Sequence, residues 1–317
     1  MLFQLKTNER KDKQNQQTSS KIDKFWSMIS KVKFFARNVV FVKKRLEINK
    51  SSLYYKKHLN SKHISPRNFD FSIGSFSIKI INEPHPLMLK AKELRQKSFF
   101  GSSTGNSSDT DEFDKACDHL IVVDNSVSKD FVVGTYRLLF KPEFVKYQKF
   151  YSQSEFDISN LLKKEPMALL EAGRSCVHKD YRDGRIIKLL WRGLATYILN
   201  NRVKLIFGCA SFPSSKFYLF RKQLSYLHHY HRTPKKISTS PVDNLKANFK
   251  IVEKKLINDE EEFRNLPPLI KAYIRAGAWI GPGAIVDKKF DTTDVLIVLD
   301  ARKILKKYTQ LSFKEVH

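Results

Sequence analysis

Phe76, Ile78 and Ile80 alternate with Ser77 and Lys79, the two-residue period of a half-buried strand. The apolar spacing then lengthens, which predicts a helix over 86–99. Residues 101–111 hold only Gly, Ser, Thr, Asn and Asp, a loop that buries little and is expected to move. Strands are predicted over 119–124 and 132–140, the second carrying Gly134, Thr135, Tyr136 and Arg137. A strand over 168–177 leads through a turn at 180–184 into a helix over 185–201, followed by a short apolar strand over 205–211. Strand, turn, helix, strand is a crossover unit, and the consecutive strands before it imply an antiparallel portion. The fold class is therefore α/β, a mixed and mostly antiparallel sheet flanked by helices. Residues from about 214 to 264 turn basic and read as a helical insertion with a Pro and Ser loop near 233–241. A helix over 267–276 and a strand over 295–299 return to the core.

The first 60 residues carry 15 Lys and Arg against 4 Asp and Glu, so 1–70 reads as an appendage to a domain over 71–310. Within it Phe25, Met28, Ile29, Val32, Phe35, Ala36, Val39, Val42 and Leu46 recur at helical spacing, with basic residues mainly off that stripe. Such a helix can lie in a membrane interface, pack on its own domain, or be a basic tail.

Length changes little in this picture, because 317 residues hold one large domain or two small ones. Charge changes more. With 58 Lys and Arg against 32 Asp and Glu, the net charge of +26 attracts nucleic acid, anionic lipid or an acidic protein. Cys117, Cys176 and Cys209 are widely spaced, which fits a reducing cytoplasm and no metal site. No run reaches the roughly 18 apolar residues that span a bilayer, and no apolar leader precedes a small-residue cleavage site. The expected location is the cytoplasm, with the inner membrane face as a possible peripheral site.

Chemistry concentrates where the 168–177 strand meets the following helix: Glu171, Ala172, Gly173, Arg174, Ser175, Cys176, Val177, then Tyr181, Arg182, Asp183, Gly184 and Arg185. Unpaired amides at a helix N-terminus favour anionic groups such as the phosphate of phosphopantetheine, and Arg182 and Arg185 would reinforce that site. On a regular strand Glu171 and Arg174 point to opposite faces; a bulge would bring both to one cleft.

These residues resemble the bacterial ornithine lipid N-acyltransferases, members of the GNAT superfamily related to acyl-homoserine-lactone synthases. The resemblance covers most of 76–212 and returns over 266–299. It rests on Asp111-Glu112-Phe113-Asp114 with Cys117 to Leu120, on Gly134 to Leu139, on Glu171 to Val177 with Tyr181-Arg182, and on Leu190-Trp191 with Phe207 to Phe212. The run from Leu266 to Gly277, with Asp287, Phe290, Thr292, Thr293 and Asp294, completes it. The resemblance implies a GNAT-like sheet, transfer of a (3-hydroxy)fatty acyl group from acyl carrier protein to the α-amine of L-ornithine, and lyso-ornithine lipid as product. Ile186 stands where a second glycine or alanine is usual in the phosphate turn, which suits a carrier-protein donor over coenzyme A. No permanently bound cofactor is expected, and a basic surface suits docking of an acidic carrier protein.

The same resemblance implies site residues. Arg95 and Phe99 lie near the 101–111 loop, Asp111 and Asp114 around the amine, Arg137 across from them, and Glu171 with Arg174 at the reacting centre. Val177, Arg182, Gly184 and Arg185 face the phosphopantetheine. Glu171 is the candidate base and also the expected partner of Arg137, since a buried guanidinium needs a carboxylate; an amide near Cys176 or Val177 is the candidate oxyanion donor. Plain readings stand beside these: Arg95 as a solvated helix residue, Asp111 and Asp114 as loop and cap groups, and an Arg137–Glu171 pair as structural. Cys176 and Cys209 lack an evident His partner and read as packing residues, as does Trp191. Autoinducer synthesis and a non-catalytic basic module that binds membrane or RNA stay open as alternatives, although no RNA-recognition motif is present and no nucleic-acid partner is expected.

Overall fold

Nine strands form the central sheet in a computed structural model that describes residues 67–101, 109–163 and 167–304. The predicted helix at 25–46 and residues 102–108 of the predicted loop lie outside the described residues. In chain order the elements are β1 (Asp70–Ile73), β2 (Phe76–Ile81), α1 (Leu87–Phe100), β3 (Asp118–Asp124), β4 (Val132–Lys141), β5 (Phe156–Asp157), α2 (Ser159–Leu162), β6 (Leu169–Val177), α3 (Arg185–Asn201) and β7 (Leu205–Phe212). There follow α4 (Arg221–Tyr230), β8 (Ser240–Pro241), α5 (Asp259–Asn265), α6 (Pro268–Arg275), β9 (Trp279–Ile280), β10 (Ile285–Asp287) and β11 (Thr292–Asp300). The sheet runs β1-β2-β3-β4-β6-β7-β11-β10, with β9 also on β11 and a separate β5–β8 ribbon. Every ladder is antiparallel except β6–β7, the pair joined by the α3 crossover.

All seven residues of β3 are buried because helices cover both faces. Ile121 and Val123 pack with Met88, Ala91 and Leu94 of α1. On the other face α3 places Ile186, Leu190, Leu194 and Ile198 inward at helical spacing. Gly193 allows that approach: a Cβ there would stand 2.5 Å from Leu120 and 2.9 Å from Ile78. A second core packs Phe150, Phe156, Ile158 and Leu161 onto Leu169, Phe207, Leu296 and Val298, so the 142–163 connection is part of the fold.

The mixed, mostly antiparallel sheet agrees with the pattern. The 214–264 segment is less helical than its composition suggests. Between α4 and α5 it runs as short 3-10 turns and extended chain, because Pro234 and Pro241 flank a Ser/Thr run that cannot continue a helix. Its main chain docks on β10 instead, with Ala247 N–H to Ala284 O at 2.9 Å and Val286 N–H to Leu245 O at 2.8 Å. β11 starts at Thr292, three residues before the predicted strand, since pairing to β7 carries the polar Asp294 into the sheet.

Candidate active site

Between β4 and β6 the register jumps from Thr135↔Cys176 to Arg137↔Gly173, so Arg174 and Ser175 together face Tyr136. This is a bulge, and Arg174 adopts a left-handed φ of +50°. Arg174 is thereby turned to the face that carries Arg137 and Glu171. There, three arginines and three aspartates form one buried lattice. Arg95 Nε donates to Asp109 at 2.7 Å and its Nη1 to Asp114 at 2.8 Å. Arg137 Nη1 donates to Asp111 at 2.6 Å and Asp114 at 3.3 Å. Arg174 stands 3.1 Å from Asp109 and donates from Nη2 to Asp111 at 3.2 Å.

Arg137 pairs with Asp111 and Asp114, not with Glu171, because the register sets Glu171 opposite Leu139. Arg95 is fully buried, not a solvated helix residue. Burial pushes the Asp114 carboxyl up, but the hydrogen bond and charge of Arg95, with Arg137 behind, hold it at about 2. His119, a strand residue by its pattern, lies beneath the lattice with Nε2 donating to the Asp114 carbonyl at 3.0 Å, and burial lowers its pKa.

Glu171 serves another neighbour. Its Oε2 accepts the Tyr151 N–H at 2.8 Å, and Oε1 accepts the Ser152 N–H at 2.7 Å and the Ser152 hydroxyl. The carboxylate thus holds the 3-10 turn Tyr151–Ser154, while burial raises its pKa. The Tyr151 ring lies under Arg174 at 4.8 Å and Arg137 at 5.5 Å, which ties that turn to the lattice. Phe99 packs edge-on against Phe290, whose ring carries Arg174 at 4.7 Å.

Beside this turn lie Glu155, Asp287 and Asp294, each offering a carboxylate oxygen within 4.8 Å of the others. Burial lifts Glu155 to about 7 and Asp294 to about 6. The pattern contained one signal for Glu155, an acidic residue between the buried Phe150 and Phe156, but no periodicity marks it as a site residue. Cys209 contacts Ser152 at 3.6 Å; burial raises its thiol well above the usual range and that of Cys176 to about 12, as packing residues require.

The β6–β7 ladder holds only three pairs, ending at Glu171↔Phe207, although β6 continues to Val177 and β7 to Phe212. Past that point no pairing joins the two strands, which leaves an opening between them. His178 N–H donates to Val133 O at 2.9 Å, so antiparallel alternation turns the Val177 N–H away from β4 and toward the opening. Close contact persists at its base, where a Cβ on Gly208 would stand 2.3 Å from Ala172 O. Gly184, at φ +92°, starts α3 at the upper end of β6. Arg182 donates to Val177 O at 3.1 Å and Arg185 to Asp183 at 2.6 Å, both arginines being exposed.

Residues 94–192 match the acetyltransferase (GNAT) domain family. Over 248 residues the chain is 35% identical to an L-ornithine N(alpha)-acyltransferase of Brucella abortus (strain 2308), covering 74% of this chain and 88% of that relative. Over 238 residues it is 40% identical to the L-ornithine N(alpha)-acyltransferase of Agrobacterium fabrum (strain C58), covering 74% and 78%. The chain belongs to the L-ornithine N(alpha)-acyltransferase family. Among solved structures it is similar to a CoA-dependent acyl-homoserine lactone synthase, with a TM-score of 0.40 and 12% identity over 73% of this chain and 87% of that one.

In this acyltransferase, Arg95, Asp111, Asp114, Arg137 and Arg174 are therefore one ionic unit, with Phe99 joined to it through Phe290. Glu171 adjoins the unit through Tyr151, and Val177, Arg182, Gly184 and Arg185 lie along the other end of β6. Ile186, unusual for the phosphate turn, is a core residue: a Cβ on Gly134 would meet its Cγ2 at 2.6 Å. No helix among the described residues is long and apolar enough to cross a membrane.

Proposed function

We propose that this acyltransferase moves a (3-hydroxy)fatty acyl group from acyl carrier protein to the α-amine of L-ornithine, forming lyso-ornithine lipid. The observation that carries the reading is the opening between β6 and β7, lined on one side by the Val177 amide and bordered on the other by carboxylates. A thioester laid along β6 presents its carbonyl to the Val177 N–H. The α-ammonium loses a proton and its nitrogen attacks that carbon; the tetrahedral oxyanion takes the Val177 hydrogen bond. Collapse breaks the C–S bond and forms the amide as the nitrogen gives up its second proton, which passes to the departing phosphopantetheine thiolate, while the first stays with the base.

Glu171 is the proposed base. Three donors occupy it, and a carboxylate accepts about four, so one acceptor position on Oε2 remains for the amine or a bridging water. The arginine–aspartate lattice keeps the bulge and the Tyr151 turn in register with it. Arg182, Arg185 and the start of α3 are proposed to meet the phosphate of the carrier's prosthetic arm. The chain's excess of Lys and Arg suits the acidic carrier.

We further propose that residues 1–70 bring the enzyme to the anionic inner face of the cytoplasmic membrane, where a lipidic product is released. Deleting residues 1–60 should move the protein from vesicle pellet to supernatant while transfer persists; unchanged sedimentation would sink that part. The acyl-transfer reading is tested by mass spectrometry of lipids from cells expressing the chain. A new 3-hydroxyacyl-ornithine, absent with Glu171→Gln, is the expected result. A different acylated amine would overturn the acceptor, and no conjugate from folded protein would overturn the reaction.

A further inference from the structure

Asp111 and Asp114, like Asp109 beside them, have no charge to spare. Each faces two guanidinium groups, and Asp114 is almost wholly buried. Glu155, Asp287 and Asp294 are in the opposite condition. None of the three makes an ion pair among the described residues, in a chain whose net charge is +26. Glu155 and Asp294 are only 5% and 6% exposed; Cys209 and Tyr151 reach the first carboxylate and Thr292 and Ser211 the second, yet Glu155 Oε2 and Asp294 Oδ1 are left with no hydrogen-bond partner. Buried carboxylate oxygens left unpaired and beside one another are costly, and a cation placed among them removes that cost.

We infer that Glu155, Asp287 and Asp294 form the seat for a primary ammonium group, the side-chain ammonium of the acceptor amino acid. This rests on the proposed transfer to a dibasic acceptor. Such an acceptor has two amines with opposite needs: the attacking one must lose its charge, and the other keeps it and needs an anion. An alkylammonium has three N–H donors and no acceptor, matching three carboxylates. Three tetrahedral N–H···O bonds of about 2.8 Å set their acceptors about 4.6 Å apart, inside the 4.8 Å limit that the three oxygens keep. The seat is also correctly placed. Ser211, which pairs with Asp294, and Cys209, which touches Ser152, belong to the part of β7 that has parted from β6. Asp287 accepts the Lys289 and Phe290 amides at 2.8 and 3.1 Å, which orients it from the rim where Phe290 meets Phe99.

The test uses the full chain with acyl carrier protein as donor and two acceptors, L-ornithine and L-norvaline, which share a three-carbon side chain and differ in its terminal ammonium. Wild type is expected to prefer ornithine in kcat/KM. In Asp294→Asn and Glu155→Gln the ornithine-to-norvaline ratio is expected to fall roughly ten- to a hundredfold, the effect of losing one charged hydrogen-bond acceptor. Asp287→Asn, at the half-buried rim, provides the same readout if the two buried variants do not fold. An unchanged ratio in any folded variant overturns the seat. So does loss of wild-type activity in EDTA with recovery on added magnesium or manganese, since a metal would then occupy it. If wild type acylates neither amino acid, the functional reading falls, and calorimetry decides the seat separately: equal affinity for ornithine and norvaline overturns it, and preferential binding of ornithine that weakens in the variants upholds it.

Discussion

Arg137 and Asp111 meet through an Nη1–H···Oδ1 bond of 2.6 Å, joining the middle of β4 to the connection that follows α1. The other oxygen of the same aspartate accepts from Arg174 at 3.2 Å, so a single carboxylate fastens β4 to the bulge of β6. Asp114 repeats the arrangement deeper in the protein, between Arg95 and Arg137.

Removing one member of such a lattice leaves a buried charge without its partner. Asp114→Ala is expected to cost about 3–5 kcal/mol, measured by urea denaturation. Asp111, whose side chain is 19% exposed against 1% for Asp114, should cost less when truncated. Equal losses would mean that burial does not set the cost.

Stability should have a maximum on the acid side of neutrality. The Asp114 carboxyl is held at about 2 in the folded protein, below its unfolded value, so its contribution is complete above about pH 4 and is lost as pH falls toward 2. Burial does the reverse to Glu155, at about 7, and Asp294, at about 6. Their contribution is complete below their unfolded values, about pH 4, and is lost as pH rises through 6 to 7. Melting temperature followed from pH 3 to 8 should rise and then fall. Glu155→Gln should flatten the upper limb, and saturating ornithine should do the same for wild type.

Glu171→Gln separates two parts that this residue can play. Gln replaces one acceptor oxygen with an amide nitrogen, so at least one of the three donors loses its partner, at a cost of about 1–3 kcal/mol. If Glu171 takes the proton, the residual activity should also lose the acidic limb of its pH–rate profile. A lower rate with that limb intact would reduce Glu171 to a prop for the Tyr151 turn.

Gly208→Ala tests the base of the opening. With a Cβ 2.3 Å from Ala172 O, β7 must shift away from β6. Overpacking of this kind costs roughly 1–3 kcal/mol, and kcat is expected to fall more than donor affinity, because the change lies near the reacting centre and far from Arg182 and Arg185. Wild-type kinetics in the variant would contradict the placement of the reaction at this opening.

The sequence was most legible where a single period governs. The pattern predicts helix 185–201 at its observed bounds because Gly184 starts it and an apolar stripe runs its whole length. Short strands such as β9 and β10 carry no period and are held by pairing with β11 and by main-chain bonds to the segment between α4 and α5. At the site, the residue types were visible but their pairing was not. Glu171 reads as the partner of Arg137, yet the register sets it two residues along β6 from Gly173, the residue opposite Arg137, and so decides which carboxylate the guanidinium meets. The bulge at Arg174 enters a sequence reading only as a condition, since nothing local distinguishes an arginine that takes a left-handed φ. Glu155 lay hidden because its neighbours on the 150–158 stretch are ordinary core residues, and its meaning comes from Asp287 and Asp294, more than 130 positions away.

The brief β6–β7 ladder gives a nine-stranded sheet two inner edges as well as its outer ones. Edge amides and carbonyls accept an extended chain as a substitute strand, and phosphopantetheine carries amide groups that can pair in that way. Recognition through main-chain atoms is insensitive to side-chain replacement. Selection for a new acyl donor therefore has little to alter along the upper part of β6 itself, and substitutions that change donor preference should gather in the residues flanking the gap.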